Sequence, residues 1–235
     1  MEELFKAGRL EMSGSPLSGP YAGLAWSDIL SNRILVAVCI VLAFVCLLDL
    51  FRVFPSLMYS FVRVRGTSDL ENSLGTARMR NHVAFAAALP FCALTDRFAL
   101  LRPAFWSAIP PEWSSLATVG LMVAFFLVRA LCYWLARPRR LSSAQAATLF
   151  HAPYNYFIMM TILMLFISVP LYGFHVQDAV IRIAFRTIIA IFYFFTLLRS
   201  GQILNSRGLG FATFLYLCGL EIIPAALLVA VVTFF

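Results

Sequence analysis

Charged residues are scarce in this chain. They make up 12% of its 235 residues, against about a quarter in soluble domains. Hydrophobic residues take up 62%, which is more apolar surface than a soluble domain of this size can bury, so we expect lipid to be its solvent. The sequence also lacks the soluble basic face with interleaved aromatics that a nucleic-acid-binding protein needs.

Residues that carry out chemistry are scarce as well. All five cysteines fall inside apolar stretches and none forms a CxxC pair, which argues against a disulfide framework and a zinc site. The three histidines lie far apart. No GxSxG, HExxH, Walker or GxGxxG motif occurs. We therefore expect no catalytic residue, no metal and no cofactor, and the sequence favours a protein that is not an enzyme.

Six apolar stretches are present, each about the 20 residues that a helix needs to cross the bilayer. They are residues 34–54, 81–101, 116–136, 154–174, 179–199 and 211–235. The sequence thus predicts an all-α, polytopic transmembrane bundle of about six spans, forming one domain over residues 34–235 after a flexible tail, 1–33. The second stretch is the weakest because it contains Pro90, Asp96 and Arg97, and a broken or re-entrant helix is the alternative there.

Basic residues between the spans predict the orientation. Ten arginines lie after the first, third and fifth spans: Arg52, Arg63, Arg65, Arg78, Arg80, Arg137, Arg139, Arg140, Arg199 and Arg207. Six basic residues lie on the other side: Lys6, Arg9, Arg33, Arg97, Arg102 and Arg182. The positive-inside rule then places both termini outside. We expect Arg137, Arg139 and Arg140 to contact anionic headgroups, and other membrane subunits or a second copy of the chain are possible partners.

A few charges interrupt the spans. A charge at the bilayer centre costs at least about 2.5–3.5 kcal/mol, so it is usually kept for a partner, a pathway or a fold contact. Arg182 and Arg186 share one face of the fifth span, and Glu221 in the sixth lies at the depth of Arg186. We predict an Arg186–Glu221 ion pair, with Arg182 as the second candidate. Asp49 and Arg129 lie in the inner halves of spans one and three and complete this intramembrane polar centre.

Pro224 draws attention to Glu221. Proline has no N–H, so the carbonyl of Leu220 loses its helical donor beside the carboxylate. Three roles for Glu221 remain open at this point. It can form a structural ion pair, act as a proton or ion relay, or contact a partner's transmembrane helix.

One stretch carries a more specific pattern, RSGQILNSRGLGFATFLYLCGLEIIP over residues 199–224. It resembles the C-terminal signature of a Bacteroidota integral inner-membrane family, domain of unknown function family 4271, whose spans end in a similar LYLC-x-LE-[IL]-x-P run. Residues 49–52 with the basic loop after them, and HAPYNYF at 151–157, are similar to it too. The resemblance covers roughly residues 48–235. It implies a bacterial inner membrane and no established activity, and it singles out Arg199, Glu221 and Pro224.

Three functions follow as hypotheses. The first is a non-enzymatic subunit or scaffold of a bacterial cell-envelope assembly in the inner membrane. The second is a small proton- or ion-coupled transporter or channel component that uses Glu221, although no obvious inverted repeat supports a transporter. The third is a membrane enzyme acting on a lipid with Arg182, Arg186 and Glu221, which would need further acidic or histidine residues in the same cavity.

Overall fold

Helices form every regular element in the described part of the chain. The computed structural model describes residues 26–63, 66–67, 70–71, 73–135, 143–174, 176–205 and 211–234. The predicted all-α bundle of about six spans is confirmed. The predicted lipid contacts Arg137, Arg139 and Arg140 lie outside the described residues, as do positions 1–25 of the predicted tail.

Five long helices, and two short ones joined end to end, have the length expected of membrane spans. They are α1 Leu30–Val62, α2 Leu74–Arg97, α3 Pro111–Leu135, α4 Ser143–Gly173, α5 Asp178–Asn205, α6 Phe211–Leu217 and α7 Ile223–Phe234. A π-helical turn, Cys218–Ile222, joins α6 to α7 so that the two form one span. Five spans are long and apolar enough to cross a membrane, α2 being the helix outside that set. The chain is a multi-pass membrane protein.

Helix α1 is longer than its predicted span at both ends. It begins at Leu30, inside the predicted tail, and continues to Val62, eight residues past the predicted end. Pro55 lies within it and removes one backbone donor. The helix persists because Val53 and Leu57, on either side of the proline, are fully buried against α2 and α4.

Helix α2 is the least apolar of the long helices, yet it is continuous. It passes through Pro90 without a break over 24 residues, or about 36 Å at 1.5 Å per residue. The alternative of a broken helix is therefore wrong. The helix ends at Arg97, four residues before the predicted end of the span, because Ala99 adopts a left-handed φ of 48° that no α-helix continues through.

Successive helices run antiparallel, which gives the bundle two distinct ends. Tyr133 near the end of α3 packs with Leu149 near the start of α4, Leu204 at the end of α5 and Tyr216 in α6. We call this the basic end, because α1, α3 and α5 finish there and the buried Arg80, Arg129 and Arg199 lie in this half of the bundle. A second apolar core, which includes Phe98 of the turn after α2, fills the other half of the bundle. We call that the distal end.

Gly66 provides a test of how tightly the connection after α1 is packed. A Cβ placed there would lie 2.6 Å from Cδ1 of Tyr59 and 2.8 Å from the backbone nitrogen of Ser60. We expect Gly66→Ala to lower the melting temperature in detergent, at a cost on the order of 1–3 kcal/mol typical of overpacking. Gly75→Ala is the matched control, since a Cβ at Gly75 meets nothing within 4 Å. Equal melting temperatures for the two variants would contradict this packing.

Candidate functional site

A buried ion pair between α3 and the π-helical turn is the centre of the site. Nη2 of Arg129 lies 2.9 Å from Oε1 of Glu221, and Nε lies 3.3 Å from Oε2. Both side chains are only 6% exposed. Two guanidinium nitrogens thus meet two carboxylate oxygens in the bidentate arrangement that is strongest for this pair of groups.

Helix α4 supplies the remaining contacts of Arg129. Nη1 donates to the carbonyl oxygen of Phe150 at 3.2 Å. The guanidinium carbon lies 5.4 Å from the ring centroid of Phe150 and 5.9 Å from that of Tyr154. A guanidinium that is hydrogen-bonded at its edge and covered by aromatic rings on its face keeps its charge without water.

The backbone around Glu221 is irregular at the place where Pro224 predicts it. The turn Cys218–Ile222 is π-helical, and the N–H of Ile223 donates to the carbonyl of Cys218. Pro224 is buried one residue further on. The hydroxyl of Tyr193 in α5 donates to the carbonyl of Glu221 itself at 3.1 Å. Such π-turns often occur at functional positions, and this one turns the Glu221 carboxylate towards α3.

The predicted Arg186–Glu221 pair is wrong. Arg186 is exposed on the outside of α5 and Arg182 is half-buried, and neither has a hydrogen bond or ion pair among the residues that the structure describes. The prediction compared depths along the helix axes but had no measure of rotation. Phe185 is fully buried and faces the core, and the next residue along an α-helix points about 100° away.

Asp49 also lies apart from the pair. Its carboxylate is 3.8 Å from Nδ1 of His82 in α2, and both side chains are substantially exposed. Of the predicted polar centre, the structure therefore brings together Arg129, Glu221 and Pro224. It leaves Asp49, Arg182 and Arg186 on other surfaces of the bundle.

Arg199 forms a second buried site at the basic end. Its Nη2 donates to the carbonyls of Ser60 and Phe61 at 2.9 and 2.8 Å, and its Nε donates to the hydroxyl of Tyr156 at 2.9 Å. The two carbonyls belong to the last turn of α1 and have no partner within that helix. Arg199 therefore caps α1 with a positive charge at the negative end of the helix dipole, and it ties α5 to α1 and α4.

A third site joins the loop before α2 to α4, and sequence reasoning missed it. Nη1 of the fully buried Arg80 lies 2.6 Å from Oε2 of Glu71. Nδ1 of His151 lies 2.9 Å from Oε1 of the same carboxylate. Since a carboxylate can only accept, Nδ1 of His151 is the donor. The sequence interpretation had treated Arg80 as a loop residue.

These contacts change the acidity of Glu71, which lies outside the membrane spans. The hydrogen bond from His151, together with the hydrogen bond and charge of Arg80, outweighs burial and lowers the pKa of Glu71 from 4.5 to about 2. The loop carboxylate is therefore ionised at all physiological pH values. It holds the loop against the start of α4.

The distal end contains an acidic site with neutral donors. Asp96 is 8% exposed and accepts from Nε1 of Trp26 at 2.8 Å, from Oγ of Ser114 at 2.5 Å and from Oγ of Ser115 at 2.9 Å. Asn32 accepts a further bond from Ser115, but one hydroxyl proton serves only one acceptor at a time. The sequence interpretation had read Asp96 only as a charge that weakens the second span.

One short segment of α4 contacts all three arginine sites. Tyr154 covers Arg129, His151 binds Glu71 beside Arg80, and Tyr156 accepts from Arg199. This is the HAPYNYF stretch, to which the family resemblance had drawn attention. Within it, the amide of Asn155 is 3% exposed and has no hydrogen-bond partner in the described ranges.

No family model, curated protein or solved structure matches the chain. The resemblance of residues 199–224 to the Bacteroidota family therefore stays a prediction. Within the described ranges, no three histidine, cysteine, aspartate or glutamate side chains lie close enough together to hold a metal ion.

The chemistry open to Glu221 follows from its partners. Both carboxylate oxygens are bound by Arg129, so a proton or a cation on Glu221 would have to compete with the adjacent guanidinium charge. The arrangement fixes the rotation of the last span against α3 and α4. It has the geometry of a structural ion pair.

We expect Glu221→Gln to destabilise the protein, because it leaves the Arg129 guanidinium buried without its counterion. Removing one partner of a buried pair typically costs about 3–5 kcal/mol. The apolar double variant Arg129→Met/Glu221→Leu should be more stable than Arg129→Met or Glu221→Leu alone, since it leaves no buried charge. Thermal unfolding in detergent measures all four variants. Arg186→Gln, which removes an exposed arginine, is the control and should unfold like the wild type. A Glu221→Gln variant as stable as the wild type would contradict the structural ion pair.

We expect the contribution of Glu71 to stability to disappear in acid. Because its pKa is 4.5 when free and about 2 in the folded chain, the contribution is complete above pH 4.5 and falls as the pH drops towards 2. The difference in melting temperature between wild type and Glu71→Gln should be largest at neutral pH and shrink below pH 4.5. A difference that stays constant across this range would mean that the carboxylate charge contributes nothing.

Proposed function

We propose that this chain is a non-enzymatic subunit or scaffold of a cell-envelope assembly in a bacterial inner membrane. On this proposal, internal ion pairs hold the bundle in one conformation, and an outward face of α5 binds a transmembrane helix of another subunit. The bacterial inner membrane is suggested by the resemblance of residues 199–224 alone.

The proposal rests on the exposure of Arg186 and on its lack of a partner within the described chain. Arg186 is exposed on a membrane-spanning helix and has no hydrogen-bond or ion-pair partner in the part of the chain that the structure describes. It lies eight residues after Asp178, the first residue of α5, and therefore about 12 Å along the helix axis from the start of the span. Arginine within a span normally faces a partner or a polar cavity. An acidic residue in another chain would supply the missing counterion.

The surroundings of Arg186 fit a helix–helix contact. Thr187 and Ala190 are exposed on the same side of α5, and small residues let two helices approach closely in lipid. Ile183 and Phe194, which are 66% and 58% exposed, continue this side in both directions. We call Ile183, Arg186, Thr187, Ala190 and Phe194 the α5 face.

The buried charges support a structural role over transport. Arg80, Arg129 and Arg199 each find their acceptors inside the bundle. Glu221, on which the transporter hypothesis depends, has both oxygens bound to Arg129. An assembly subunit needs a rigid bundle with an exposed polar group available to a neighbour, and Arg186 meets that description.

Photo-crosslinking in bacterial cells tests the proposal. A photoreactive amino acid at Ala190 should crosslink to a second membrane protein, and Arg186→Glu should abolish the product because it would face the partner's carboxylate with a like charge. The same probe at Val229, which is 60% exposed on α7, is the control and should give no discrete product. Failure of both sites to crosslink, with the chain migrating as a monomer in mild detergent, would overturn the proposal. A product containing only this chain would replace the subunit with a homo-oligomer.

A further inference from the structure

An apolar groove opens between α2 and α3, with α4 behind it. Its volume is about 490 Å³, within the range of ligand pockets. The α2 wall carries Ala84 and Ala88 beside Phe85 and Leu89, with Asn81 and Cys92 at its two ends. Val123 lies on the α3 wall and Tyr154 on the α4 wall.

The groove exists because polar contacts hold both ends of α2, while Ala84 and Ala88 between them have short side chains. At the distal end, Asp96 binds Ser114 and Ser115 of α3. At the basic end, Arg80 binds Glu71, which His151 of α4 also holds. Between these anchors the short side chains of Ala84 and Ala88 leave space on the α3 side, next to Phe85 and Leu89.

The dimensions of the groove select its occupant. From Cys92 to Asn81 the wall rises eleven residues, about 16 Å at 1.5 Å per residue, or roughly half of the 30 Å hydrocarbon core. A membrane-spanning helix needs about 20 residues to cross the core. The groove therefore has the length of one hydrocarbon chain within one leaflet and not that of a spanning helix.

Hydrogen-bond donors lie at the basic end of the groove. Oδ1 of Asn81 accepts two bonds from the Arg80 guanidinium, which leaves the amide N–H groups of Asn81 to donate outward. Arg78 precedes Asn81 by three residues and therefore shares its side of α2. It is exposed and makes no ion pair with any residue described. An arginine and an amide donor at this depth are complementary to a lipid phosphate.

We propose that this groove binds one acyl chain of an anionic phospholipid from the leaflet at the basic end. Arg78 and Asn81 bind the phosphate, and the acyl chain packs against Ala84 and Ala88 of α2. The site uses no residue of the α5 face. It does not depend on the proposed function.

Lipid retention measured by native mass spectrometry tests the site. The chain is released from bilayer nanodiscs made of equal parts phosphatidylcholine and phosphatidylglycerol. The wild type should retain one phosphatidylglycerol. Ala88→Phe fills the groove and should lose it. Arg78→Gln should weaken the preference for phosphatidylglycerol about fivefold, the equivalent of the roughly 1 kcal/mol that an arginine contributes near the surface.

Two control variants separate the groove from the general lipid surface. Val41→Phe enlarges a side chain that is 61% exposed on α1, and Arg52→Gln removes an exposed arginine from the same helix. Both should retain lipid like the wild type. Equal retention by Ala88→Phe, or a retained lipid that is neutral or isoprenoid, would overturn the proposal.

Photo-crosslinking of a chain with the groove left open tests the site even if Ala88→Phe does not fold. A photoreactive amino acid at Val123, which lines the groove and is 52% exposed, should crosslink to phosphatidylglycerol in excess of its share of the bilayer. The same amino acid at Val41 should label both lipids in proportion to their abundance. Proportional labelling at both positions would mean that the groove holds only the surrounding lipid, and the proposal would fail.

Discussion

A guanidinium group that is buried in a membrane bundle must find its acceptors inside the protein, and this constraint organises the basic end. Arg80, Arg129 and Arg199 are all buried. Each of the three arginines uses a different kind of acceptor. Arg80 uses a loop carboxylate, Arg129 uses Glu221 in the last span, and Arg199 uses the free carbonyls at the end of α1. Because the HAPYNYF stretch of α4 contacts all three sites, α4 is the element against which α1, α2, α3 and α5 are positioned.

Such pairs contribute specificity more than stability. Desolvating two charges costs about as much as their attraction returns, whereas leaving one of them alone is strongly unfavourable. A rotation or slip of the last span would separate Glu221 from Arg129 and strand both charges. Lipid-facing apolar surface cannot enforce this, because most rotations of an apolar helix expose similar groups to lipid. The ion pair therefore selects one arrangement among many that hydrophobicity alone would permit.

The limits of sequence reasoning follow from the same physics. Hydropathy and length placed the spans, and Pro224 marked the irregular turn that the structure has at Cys218–Ile222. The rotation of each helix about its axis could not be predicted, because spans that are apolar on all sides carry little periodic signal. Arg186 was therefore predicted as the partner of Glu221, whereas the partner is Arg129. The Glu71–His151 contact joins residues 80 positions apart. No local pattern encodes it.

Helix α2 shows how polar contacts replace hydropathy. By composition it is the poorest membrane helix of the set, and it is the one held by a polar anchor at each end, Arg80 at the basic end and Asp96 at the distal end. Hydrogen bonds in a water-poor environment compensate for the apolar surface that the helix lacks. Because the anchors fix its ends, α2 can carry the small residues Ala84 and Ala88 on its α3 side without collapsing onto α3. The polar anchors therefore account both for the low hydropathy of α2 and for the groove beside these two alanines.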